Sequence, residues 1–97
     1  MGQLRWTNES LRWLEDIFEY IAGENPAAAR ATVDGLYKRA QMLREHPQIG
    51  YRYEGSEREV RVLLYGHYRI AYLVKAGGDV DILGVFHGAL DLARYNL

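Results

Sequence analysis

Between Arg58 and His87 the chain reads REVRVLLYGHYRIAYLVKAGGDVDILGVFH, and Glu59 is the only acid before Asp79 among the cations Arg58, Arg61, Arg69 and Lys75. Asp91 and Arg94 follow closely. Guanidinium groups held on a short sheet suit an anionic partner, and His87 could act there as a base or an acid. Arg69 is the cation set deepest in an apolar run. A charge persists there only when it is paired or used: by Asp91, by laying its stem over the sheet, or by an anion from outside. His87 either ends a strand bonded to backbone or takes part in the site. Asp91 reads as a helix cap or as the partner of Arg69 or Arg94. Arg58 and Arg61 read as outer-strand cations that could join the same surface. The candidate binding set is therefore Arg58, Arg61, Arg69, His87, Asp91 and Arg94. Were the site a nuclease, Arg69 and His87 would carry it.

The elements that must position these residues follow from pattern. Val60 to Tyr65, Tyr68 to Val74 and Val80 to Phe86 are rich in β-branched and aromatic residues, as strands are. Gly66-His67 suits a type II′ hairpin, which needs glycine at its first central position, and Gly77-Gly78 with Asp79 makes the second turn. Arg69 then lies near His87, and His67, Asp91 and Arg94 are expected at the same sheet end. Whether Arg69 and His87 share a face depends on register, since a slip of one residue turns every side chain over.

Upstream, Leu4 to Trp6 is a short strand. Thr7 or Asn8 caps a helix whose stripe is Leu14, Ile17 and Ile21, widened by Leu11 and Phe18. Gly23 stops it. Asn25-Pro26 starts a second helix, with Ala29, Val33, Leu36, Ala40 and Leu43 on one side, ended by His46-Pro47. Gln48 to Glu57 reads as a loop, and Ala89 to Tyr95 as a short terminal helix. The fold class is α+β in the order β-α-α-β-β-β, a helical hairpin packed on one face of an antiparallel sheet.

The chain of 97 residues makes one domain, 1–97. It holds no cysteine, which removes disulfides and thiolate metal sites. His46, His67 and His87 are too scattered for a metal site, and no phosphate loop or dinucleotide fingerprint occurs, so neither metal nor cofactor is expected. Without a signal-like or membrane-length apolar run, the expectation is a cytoplasmic protein with no membrane partner. The formal charge of −1 argues against a domain living on phosphate contacts. Glu9, Glu15, Asp16, Glu19 and Glu24 crowd the first helix while the strands hold arginines, which predicts an acidic helix surface and a basic sheet end.

The order and spacing of several pieces resemble the RelE/ParE superfamily of toxins from type II toxin–antitoxin modules. They are Trp6-Thr7, Tyr20-Ile21, Ala27-Ala28, Leu43 with Pro47 and Gly50, Arg58-Glu59, Tyr68-Arg69-Ile70-Ala71-Tyr72, Ile82 with Val85, and His87-Gly88 with Asp91 and Arg94. The resemblance covers nearly the whole chain and implies the same β-α-α-β-β-β order. It also implies a cognate antitoxin bound as a hetero-oligomer; the basic sheet end and the apolar helix-hairpin groove suit an antitoxin tail that folds on binding, laying an amphipathic helix on the groove and acidic residues on the arginines. RelE-like members cut messenger RNA in the ribosome, whereas ParE-like members poison DNA gyrase. Val60 and Val62 stand where the nucleases carry lysines, and Gly88 stands where they carry an arginine. Only Arg69 matches the arginine placed against the scissile phosphate. Leu90 departs from many relatives, which have a further arginine there. The resemblance is therefore to the ParE-like branch: a toxin of a plasmid- or chromosome-stabilising module, inhibiting gyrase by binding without chemistry of its own. The alternatives are a metal-independent, ribosome-dependent endoribonuclease and a non-toxic remnant that only binds antitoxin.

Overall fold

Thr7 and Asn25 set the fold's first two decisions. Thr7 is extended, and its Oγ1 accepts from the Ser10 amide at 3.1 Å, so it caps the first helix. The same Oγ1 donates to the Ile82 carbonyl at 2.7 Å, which ties the helix start to the last strand. Asn25 caps the second helix through a 3.0 Å bond from the Ala28 amide, with Pro26 at the first helical position.

A computed structural model describes residues 2–88. Its elements are β1 (Leu4–Trp6), α1 (Asn8–Ala22), α2 (Pro26–Gln41), a 3₁₀ turn (Met42–Arg44), β2 (Tyr51–Arg52), β3 (Val60–Tyr65), β4 (Tyr68–Val74), a second 3₁₀ turn (Ala76–Gly78) and β5 (Val80–His87). The sheet order is β1-β5-β4-β3-β2. The expected β-α-α-β-β-β frame holds, with three differences. The sheet is mixed, because β1 runs parallel to β5, Leu4 opposite Val80 and Trp6 opposite Ile82. Tyr51–Arg52, read as loop, adds an edge strand to β3. The second helix loosens to 3₁₀ geometry at Met42, before His46-Pro47. The terminal helix expected at Ala89 to Tyr95 lies outside the described residues.

The helices cover one sheet face. Leu14, Leu36, Ala40 and Leu43 meet Leu63, Ile70, Tyr72, Val80, Ile82 and Val85 in one cluster. Truncating a fully buried leucine such as Leu36 would cost about 2–5 kcal/mol. Buried Tyr72 accepts a 2.9 Å bond from the Gly50 amide, and burial pushes its hydroxyl pKa up. The other face buries Val62, Ala71 and Phe86. Gly35 lets α2 approach the sheet, since a Cβ there would strike the Tyr65 ring.

Candidate functional site

The end of the sheet at the β3–β4 hairpin is built by two backbone devices. Gly66 takes a positive φ of 57° while no described non-glycine residue does, which fits the II′ turn, and Tyr65 pairs with Tyr68. In β5 the register then shifts: Ala71 faces Gly84 and Tyr72 faces Ile82, so Leu83 is an extra residue, a β-bulge. Beyond it Tyr68 faces His87 and Arg69 faces Phe86. Consecutive strand residues point to opposite faces. His87 therefore leaves on the helix side, beside Tyr68, and Arg69 leaves on the other, beside Phe86 and Leu64. The two residues reach one sheet end, as expected, but not one face.

Arg69 is half-buried on that far face. Its Nη1 donates to the Tyr51 hydroxyl at 3.2 Å, and its buried Nε has no hydrogen-bond partner among the described residues. No carboxylate among them pairs with this guanidinium. A cation oriented by a neutral hydroxyl keeps its charge and most of its donors for an incoming anion.

On the helix side, His87 is exposed and lies edge-on to Tyr68, with ring centroids 5.4 Å apart. The His67 ring is 6.1 Å from it. A cavity of about 430 Å³ opens here, lined by Trp13, Asp16, Ile17, Tyr20, Tyr68 and His87. Trp13 packs on Phe86 at 4.8 Å, close to Gly84, where a Cβ would crowd both rings. Burial raises the Tyr68 hydroxyl pKa, and Tyr20 adds to the shift.

The remaining candidates do not form one basic end. Arg61 lies on the helix side, where Nε meets Glu59 at 3.0 Å and Nη1 donates to the carbonyls of Gly50 at 2.8 Å and Gln48 at 3.3 Å. It pins the loop before β2 to β3. Arg58 is exposed just before β3, at the opposite end from Arg69. Lys75 and Arg5 both converge on Asp81, at 3.3 and 3.1 Å. The hydrogen bond from Arg5 holds the Asp81 carboxyl below its ordinary value, with Lys75 helping and burial opposing. Asp91 and Arg94 lie outside the described residues.

As members of a site, Tyr51, Trp13, Asp16 and Tyr20 were passed over by sequence reasoning. The Tyr51 and Tyr53 alternation, a strand signal inside a glycine-bounded loop, could have located the first. Tyr20, a large aromatic 87% exposed on α1, could have located the others.

The five-stranded sheet thus lies under a helical hairpin and carries at its hairpin end an arginine that no described carboxylate neutralises. The family described as "ParE toxin of type II toxin-antitoxin system, parDE" matches residues 4–92. The chain belongs to the ParE toxin family. Within this family it is similar to a Sinorhizobium fredii (strain NBRC 101917 / NGR234) protein named "Putative toxin Y4kP", 32% identical over 87 residues, 88% of this chain and 86% of the relative. Its fold is similar to a solved structure described as "Chromosomal ParDE TA system from P. aeruginosa", with a TM-score of 0.74 at 24% identity, over 92% of this chain and 98% of the other. Among its described residues this ParE-family chain has no helix long and apolar enough to cross a membrane. No group of three or more metal-capable side chains is found among them either.

Proposed function

We propose that this ParE-family toxin arrests growth by binding DNA gyrase, and that a cognate antitoxin neutralises it. The register at the hairpin end carries the reading. Metal-free cleavage of RNA needs a base for the 2′-hydroxyl, an acid for the leaving oxygen and cations for the developing charge, all around one phosphate. Here the cation Arg69 and the proton carrier His87 leave the strands on opposite faces, which suits a binding surface better than a nuclease centre. Val60 and Val62, both buried, replace cations on the first hairpin strand. The antitoxin reading is supported by the family and by the described ParDE system whose fold this chain shares.

Supercoiling assays with purified toxin test the target. Inhibition with a trapped gyrase–DNA cleavage complex is expected; intact supercoiling together with codon-linked cuts in primer extension would replace gyrase by the ribosome. Harmless overexpression without antitoxin would leave only a binding protein. Co-purification of the adjacently encoded small protein tests the partner.

A further inference from the structure

Three aromatic rings and one carboxylate line the 430 Å³ cavity between α1 and the hairpin end: Trp13, Tyr20, Tyr68 and Asp16, with Ile17 and His87 completing it. Ring faces carry negative potential and attract a desolvated cation. Asp16 forms no ion pair among the described residues, so its carboxylate keeps its acceptors beside the rings. Arg12, the only cation of α1, lines an adjoining hollow with Glu9, Trp13 and Asp16 and does not line this cavity. The helix adds Glu9, Glu15 and Glu19, with no basic residue in its last turn. An anion would meet this charge unfavourably, and an apolar anchor would strip water from Asp16 without replacing it.

We infer that this cavity takes an arginine side chain projected by the antitoxin, the guanidinium stacked on the rings and bonded to Asp16. A planar, weakly hydrated guanidinium can stack and bond a carboxylate at once, which an ammonium does less well. The volume leaves ample room for one long side chain. A second copy of this chain is a poor occupant, since two acidic α1 faces repel. The contact is distinct from Arg69, which lies on the other face and suits acidic groups.

The inference rests on the antitoxin reading, and the test separates the two. Affinity of the purified antitoxin is measured for wild-type toxin, Asp16→Asn, Tyr20→Ala and the remote control Asp34→Asn. Asp16→Asn and Tyr20→Ala should each weaken binding roughly tenfold, and Asp34→Asn should leave it unchanged. Each antitoxin arginine is then changed to glutamine. One such change should give the same loss, and combining it with Asp16→Asn should add little further. Unchanged affinity for Asp16→Asn, or coupling to a lysine instead, overturns the inference while the antitoxin reading stands. If wild-type toxin fails to bind the adjacent protein, that reading falls. The cavity is then judged alone, by nuclear magnetic resonance titration with Nα-acetyl-arginine amide and its neutral citrulline counterpart. Saturable shifts at the Trp13 indole with arginine only, lost in Asp16→Asn, support the cavity; equal shifts with both compounds overturn it.

Discussion

The two ends of this sheet hold the same residue types and use them oppositely. At the end where β5 begins, Arg5 and Lys75 share Asp81, and near it Arg61 is held by Glu59 and two loop carbonyls. At the hairpin end Arg69 meets only the Tyr51 hydroxyl among the described residues. A guanidinium whose partner comes from its own chain is architecture. One whose partner is withheld is available to another molecule. Counting arginines along the strands does not separate the two kinds; the registers of β1 and β5 do.

The sharpest break of this contrast is Arg69→Ala. Growth arrest should be abolished while circular dichroism and melting stay near wild type; a folded variant that remains fully toxic would erase the distinction. His87→Ala should give a weaker version, read as partial growth arrest. Asp81→Ala should do the reverse, since it strips the shared partner from two cations. Melting should fall by several degrees, for a loss of about 1–2 kcal/mol, with toxicity kept at temperatures where the variant is folded. Tyr51→Phe removes only the hydroxyl that orients Arg69, so toxicity should drop a few-fold, with stability within about 0.5 kcal/mol of wild type.

The smallest effect is in pH. The folded Asp81 carboxyl titrates below its ordinary 3.8, so between the two values the unfolded chain binds more protons. The carboxylate's contribution is complete above the unfolded value and is lost as pH falls through the folded one. Denaturant titrations at stepped pH should show wild type losing more stability than Asp81→Asn as pH drops from about 5 to 2.

Much of this was legible in the residues. The Asn25-Pro26 restart, the stripes of α1 and α2 and the Gly66 turn each state a local rule, and the helices and the β3–β4 hairpin follow them. The parallel β1–β5 pair left no local trace, because its strands lie at opposite ends of the described chain. The Leu83 bulge was hidden for another reason: the continuous apolar run 82–86 has no polar alternation against which an extra residue would show. Yet it decides the site. Continuing the register of Tyr72 with Ile82 would set Arg69 opposite Val85 and bring His87 onto the same face as Arg69. One residue separates a plausible catalytic pair from two independent surfaces.

The pairing of β1 with β5 has a kinetic consequence as well. Arg5 bonds Asp81 across 76 residues of chain, and Leu4 and Trp6 find their sheet partners nowhere nearer. Closing so long a loop is entropically unfavourable until other contacts have brought its ends together. During synthesis the first strand emerges early and must wait for Val80 to Ile82 before it can join the sheet. The helical hairpin and the β3–β4 ribbon can form locally in the meantime, but the edge that β1 completes closes only once Val80 to Ile82 have been made.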